Sequence, residues 1–113
     1  PWLDVVVTSR KTVATDIIAL ELASSDGTTL PGYDAGAHVD VYVKSGVIRQ
    51  YSLTGDPADR SRYRLGILLD PTSRGGSTAI HNQFQAGQTV RIGRPRKVYT
   101  GATERDYVDL SKR

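Results

Sequence analysis

The sequence contains no cysteine and no methionine, and only one tryptophan and one phenylalanine among its 113 residues. Without cysteine, the chain can form neither a disulfide nor a thiolate nucleophile, and it can hold neither a cysteine-ligated zinc ion nor an all-cysteine iron–sulfur cluster. Any redox chemistry carried out by these residues therefore needs a bound organic cofactor.

Long apolar runs and a strong excess of one charge are also missing. No stretch of the sequence approaches the roughly 18 apolar residues of a membrane span, and its first residues lack the basic and apolar regions of a secretory signal. Fifteen Lys and Arg against twelve Asp and Glu leave a net charge of +3, which is weak evidence for a polyanionic partner. We expect one soluble, cytoplasmic domain and, since no initiator Met is present, a processed or excised piece.

Apolar residues recur at every second position along much of the chain. Ile18, Leu20 and Leu22 show this alternation, which is typical of a half-buried strand. Strands are predicted over residues 3–9, 16–23, 39–44, 47–54, 63–69 and 89–92. We therefore expect an all-β fold, a six-stranded antiparallel Greek-key barrel with one capping helix.

The predicted helix runs from Ser77 to Gln85, with Ser77 as its N-cap and Gly87 closing its end in a left-handed conformation. Gly75 and Gly76 come immediately before it and allow close approach of the backbone. The unpaired N–H groups of a first helical turn then favour an anion, most often phosphate. A flexible loop with an ordinary serine cap explains the same residues equally well.

A second candidate site lies on the predicted strand 47–54. Alternation places Arg49 and Tyr51 on one face, so a guanidinium able to bind phosphate and a ring able to stack on a planar ligand point the same way. Ser52 points to the opposite face unless the strand bends nearby. The alternative is a solvent-facing arginine and a tyrosine that covers the barrel.

Together, the two segments resemble a known family. The run RQYSLTGD at residues 49–56, followed by SRGGS at residues 73–77, resembles the flavin-binding barrel of the ferredoxin-reductase superfamily. Within it, the two segments resemble the reductase components of the phthalate dioxygenase and vanillate demethylase type, which bind FMN. The resemblance covers roughly residues 3–96.

The resemblance implies roles for individual residues. Arg49 holds the flavin phosphate, the ring of Tyr51 packs on the isoalloxazine, and the hydroxyl of Ser52 reaches the redox-active N5 edge. The backbone of residues 66–68 faces the pyrimidine edge and the ribityl chain, and residues 75–77 meet the phosphate. Besides the first three, the implied cofactor-binding residues are Leu53, Thr54, Gly66, Ile67, Leu68, Gly75, Gly76 and Ser77.

The implied activity is electron transfer. The parent reductases pass electrons from NAD(P)H through FMN to an iron–sulfur centre, so the expected partners are NAD(P)H-binding and 2Fe-2S domains or proteins and a terminal oxygenase. Neither a nucleic-acid nor a membrane partner is expected, and no catalytic side chain or metal site is implied. Whether this piece acts as an oxidoreductase by itself stays open.

The sequence also departs from the family pattern. The nucleotide-binding and iron–sulfur domains of full reductases have no counterpart here, and residues 97–100 replace the expected exit from the barrel. We therefore expect a flavin-binding barrel over residues 1–97 and a divergent C-terminal tail of unknown role over residues 98–113.

Two alternatives remain. A small barrel could bind single-stranded nucleic acid through Tyr42, Tyr51 and Tyr63 and its arginines, in line with the pI of about 9.4. A barrel of this family could also have lost its flavin because of the altered tail.

Other polar residues are expected to be structural. His38 is interpreted as a packed or hydrogen-bonded residue, and Asp40 as a cap or solvated group. The cluster of Arg91, Arg94, Arg96 and Lys97 is interpreted as a solvated rim.

Overall fold

Six strands make up the regular structure of the chain, as described by a computed structural model over residues 2–44, 47–68 and 84–97. Each strand contains a run of β-branched or aromatic residues, which suit a pleated and half-buried surface. The strands are β1 (Trp2–Ala14), β2 (Ile17–Ser24), β3 (His38–Lys44), β4 (Val47–Ser52), β5 (Tyr63–Leu68) and β6 (Thr89–Gly93).

The strands form one antiparallel sheet in the order β4-β3-β6-β1-β2-β5. β6 is the last strand in sequence but lies between β3 and β1, which gives the sheet its Greek-key connectivity. The expectation of an all-β, six-stranded antiparallel fold is therefore confirmed.

The two end strands of the sheet, β4 and β5, come together without a continuous ladder. A single bridge joins Leu53 to Leu65, and the Thr54 N–H donates to the Arg64 carbonyl at 2.9 Å. Among the described strands, no ladder joins the rest of β4 to β5. The sheet is thus barrel-like rather than closed, with an opening that we call the β4–β5 gap, bordered by residues 47–52 and 66–68.

The interior of this curved sheet is apolar. β5 shows most clearly how buried and exposed residues alternate along a strand: Tyr63, Leu65 and Ile67 are fully buried, and the residues between them are exposed. No polar or charged residue is buried in the described parts of the chain. The core comprises Val5, Val7, Ile18, Leu20, Leu22, Leu30, Ala37, Val39, Val41, Val43, Leu53, Tyr63, Leu65, Ile67, Phe84, Val90 and Ile92.

The first hairpin is longer than alternation predicts. The predicted strands leave residues 10–15 between them, but β1 continues to Ala14 and pairs with the start of β2. The turn consists only of Thr15 and Asp16, and Asp16 has a φ of 58°. The end of β1 is exposed on both faces, so no apolar alternation marks it as a strand.

The predicted helix falls mainly on residues 77–83, outside the described part of the chain. Its last two residues, Phe84 and Gln85, are described and are not helical. Gly87 has a φ of 91°, the left-handed conformation predicted for it. A search of the described residues for a helix long and apolar enough to cross a membrane found none.

Candidate functional site

The register between β3 and β4 determines which way the candidate side chains point. Arg49 is paired with Val41 and Tyr51 with Val39. Directly opposed residues on antiparallel strands share a face, so Arg49 and Tyr51 lie on the same face as two fully buried valines. Ser52 is paired with His38 on the other face, as alternation predicts.

Arg49 is half-buried at the β4–β5 gap. One of its nitrogens, Nη1, donates to the Ile48 carbonyl at 3.1 Å. Within the described residues, no carboxylate lies at ion-pairing distance from its guanidinium. A guanidinium has five N–H donors, and most of those of Arg49 have no partner among the described residues, as an anionic ligand would require.

Tyr51 offers a flat apolar surface beside this cation. Its ring is half-buried and packs against the core. Burial raises the pKa of the Tyr51 hydroxyl to about 12, although the charge of Arg49 acts in the opposite direction. The side chain is therefore a neutral phenol at physiological pH, suited to stacking against an aromatic ligand.

The far side of the β4–β5 gap is formed by β5. Gly66 and Leu68 are on its outward face, and Leu68 is 61% exposed, an unusual position for a large apolar side chain. A Cβ atom added to Gly66 would lie 3.9 Å from Thr54 Cγ2, so the glycine leaves the strand open to close approach. Ser52 and Thr54 are exposed at the same edge.

The structure thus brings eight of the predicted site residues together along the β4–β5 gap: Arg49, Tyr51, Ser52, Leu53, Thr54, Gly66, Ile67 and Leu68. Leu53 and Ile67 are buried, so only their backbones can face a ligand. Gly75, Gly76 and Ser77 lie outside the described residues. A cation, an aromatic platform, a hydroxyl and an open strand edge suit a planar ring that carries an anionic group, such as a flavin nucleotide.

Sequence reasoning missed the ion pairs of the outer face, and one of them, between Arg96 and Asp40, joins segments that are far apart in the chain. Arg96, which was expected to be solvated, donates to both carboxylate oxygens of Asp40 at 2.9 Å. The two residues are 56 positions apart, and only the pairing of β3 with the chain after β6 brings them together. No local motif in the sequence marks this contact.

Comparison with known proteins shows the family of the chain. The family described as the oxidoreductase FAD-binding domain matches residues 4–100. The chain belongs to this family. It is therefore a flavin-binding domain, of the superfamily that the resemblance indicated.

Within the family, the chain is similar to a reductase of known name. Vanillate O-demethylase oxidoreductase from Pseudomonas sp. (strain HR199 / DSM 7063) is 46% identical over 97 residues, which cover 86% of this chain and 31% of that protein. The chain thus spans about a third of the length of this curated relative.

Two solved structures share the fold. Phthalate dioxygenase reductase, described as a modular structure for electron transfer from pyridine nucleotides to 2Fe-2S, matches with a TM-score of 0.82 and 28% identity, covering 98% of this chain and 38% of that chain. An intact type IV self-sufficient cytochrome P450 monooxygenase matches with a TM-score of 0.80 and 40% identity, covering 85% of this chain and 12% of that chain.

Proposed function

We propose that this chain is the FMN-binding electron-transfer unit of an oxygenase reductase. In the complete system, electrons pass from NAD(P)H through FMN to an iron–sulfur centre and then to a terminal oxygenase. The observation that carries the proposal is the pairing of a half-buried cation, Arg49, with a half-buried aromatic ring, Tyr51, on one face of β4 at the β4–β5 gap. Relatives named as a vanillate O-demethylase oxidoreductase and a phthalate 4,5-dioxygenase oxygenase reductase subunit support it.

Each site residue has a part in binding. Arg49 binds the phosphate together with residues 75–77, and Tyr51 supports one face of the ring. Ser52 donates to the N5 edge, and the backbone from Leu53 to Thr54 forms the rim beside it. Gly66, Ile67 and Leu68 supply backbone groups to the pyrimidine edge and the ribityl chain.

The bound FMN supplies the redox chemistry, because none of the protein's side chains can carry electrons in its place. This chain's own residues bind the ring, orient it and set its electronic environment. No side chain of the site acts as a general acid or base in the proposal.

FMN is proposed over FAD because the described part of the site pairs one cation, Arg49, with one aromatic platform, Tyr51. That arrangement matches one phosphate and one ring system. The proposal also limits the binding unit to residues 1–97, so that residues 98–113 are not needed for the cofactor.

Titration of the purified chain with FMN, FAD and riboflavin, monitored by flavin fluorescence, tests this proposal. FMN is expected to bind stoichiometrically and most tightly, and a chain that ends at Lys97 is expected to bind it equally well. Tighter binding of FAD than of FMN would identify FAD as the cofactor. A chain that binds none of the three flavins would refute the proposed function. None of the relatives named above favours the nucleic-acid alternative.

A further inference from the structure

Three chemically different side chains form one row across the outer face of the sheet. Ser52 is paired with His38, and His38 is bridged on its other side to Arg96. The backbones of His38 and Arg96 exchange two hydrogen bonds, of 2.8 and 3.0 Å. With a strand spacing of about 4.8 Å, the Cα atom of Arg96 lies about 10 Å from that of Ser52.

Asp40 fixes the guanidinium at the end of this row. Nη2 of Arg96 donates to both oxygens of the Asp40 carboxylate at 2.9 Å. The two side chains are 49% and 25% exposed, and an ion pair this accessible contributes little to stability. The pair therefore holds one positive and one negative charge in defined places.

His38, between Ser52 and Arg96, adds no charge of its own at neutral pH. Burial, and secondly the charge of Arg96, lower the pKa of His38 below its ordinary value of 6.5. Other charged groups nearby are Asp40 on the same strand, the exposed pair of Lys97 and Asp34, 4.0 Å apart, and two cations close to Ser52. These are Arg49, on the same strand as Ser52, and Arg64, whose carbonyl accepts from the Thr54 N–H. Among the described residues, the charges that belong to this row and its ion pair are those of Arg96 and Asp40.

We infer that Arg96 and Asp40 adjust the redox potential of the flavin bound beside Ser52, and that they do so in opposite directions. The inference rests on the proposed function, in which Ser52 borders the redox-active edge of the ring. Reduction makes the ring more negative, so a fixed cation nearby stabilises the reduced form and a fixed anion destabilises it. Both are positioning residues, which act on the flavin through their electrostatic fields and do not contact it.

The two substitutions are expected to change the midpoint potential in opposite directions, which distinguishes an electrostatic effect from a structural one. We expect Arg96→Gln to make the midpoint potential of bound FMN more negative and Asp40→Asn to make it more positive, with Arg96→Lys close to the wild type. Both neutralising substitutions break the same ion pair, so a purely structural role would shift the potential in the same direction in both. The measurement is a spectroelectrochemical titration of the full chain loaded with FMN, at pH 7 and low salt, because 0.1 M salt screens charges beyond about 10 Å.

The ion pair of Arg91 and Asp4, 3.5 Å apart, supplies the matched control. Arg91 is paired with Tyr42, and Tyr42 is paired with Ile48. Ile48 lies four residues, about 13 Å along β4, from Ser52. Arg91→Gln and Asp4→Asn are therefore expected to shift the potential less than Arg96→Gln and Asp40→Asn do.

Three results would overturn the inference: shifts of the same sign in Arg96→Gln and Asp40→Asn, no shift in either, or equal shifts in the control pair. If Arg96→Gln does not fold, Asp40→Asn decides alone, since only a more positive potential agrees with the inference. A wild-type chain that binds no flavin refutes the proposed function instead, whereas bound FMN with unmoved potentials refutes only this inference.

Discussion

At the scale of the residue, Arg49 shows how far a sequence pattern reaches. Alternation predicts that it shares a face with Tyr51, and the register of β4 agrees. Alternation does not predict that this face is half-buried, or that no carboxylate in the described residues neutralises the guanidinium. Those properties depend on β3 and β5, which are remote in sequence.

Replacement of Arg49 by Ala tests the phosphate contact. We expect Arg49→Ala to weaken FMN binding roughly 10- to 100-fold, because a hydrogen bond to a charged group contributes roughly 1.5–3 kcal/mol. Riboflavin, which has no phosphate, is expected to bind the variant and the wild type alike. Arg62→Ala, which removes an exposed arginine paired with Glu21, is the control; equal losses for both flavins in Arg49→Ala would contradict the assignment.

Tyr63 gives a prediction about stability and pH. Its buried hydroxyl donates to the Pro31 carbonyl, and burial raises its pKa to about 12. Because the folded state favours the neutral phenol, this group stabilises the fold below pH 10, and the contribution is lost as the pH rises from 10 to 12. We expect Tyr63→Phe to lower the free energy of unfolding by roughly 1–3 kcal/mol at pH 7 and to make its decline between pH 10 and 12 less steep.

Denaturant unfolding at several pH values measures both effects. Tyr42→Phe, on the outer face of β3, is the control and is expected to change the free energy of unfolding by less than about 0.5 kcal/mol at pH 7. An unchanged pH dependence in Tyr63→Phe would show that the buried hydroxyl does not titrate as described.

At the scale of the element, the apolar pattern predicts strands where one face is buried and fails where neither is. The buried parts of β2 and β5 were found within one residue at each end. The exposed end of β1 was missed because its residues, from Lys11 to Ala14, are held by backbone pairing with β2 and not by apolar packing. Such an extension carries no periodic signal in the sequence.

The two-residue turn of this hairpin depends on Asp16. Its φ of 58° lies in the left-handed region, which Asp tolerates and a β-branched residue does not. We expect Asp16→Val to lower the free energy of unfolding by roughly 1–2 kcal/mol, whereas Asp16→Gly changes it by less than about 1 kcal/mol. Thermal unfolding of both variants measures this; equal destabilisation would mean that the aspartate side chain, and not its backbone conformation, is what the turn requires.

At the scale of the whole molecule, the number and class of the strands and the Greek-key barrel type could be predicted, but which strands are neighbours in the sheet could not. Nothing local indicates that β6 inserts between β3 and β1, or that β4 and β5 part beyond the Leu53–Leu65 bridge. The resemblance to flavin-binding barrels implied a site there, whereas the pairing of Arg96 with Asp40 depends on register alone. Residues that contribute through distant pairing are those that sequence reasoning misses.

A crystal structure of the chain with FMN decides whether the cofactor binds in the β4–β5 gap. We expect the ring to lie against Tyr51 with its N5 edge at Ser52, and the phosphate to lie within hydrogen-bond distance of the Arg49 guanidinium. A flavin bound at another surface, or one in the gap with its phosphate directed away from Arg49, would contradict the proposed site.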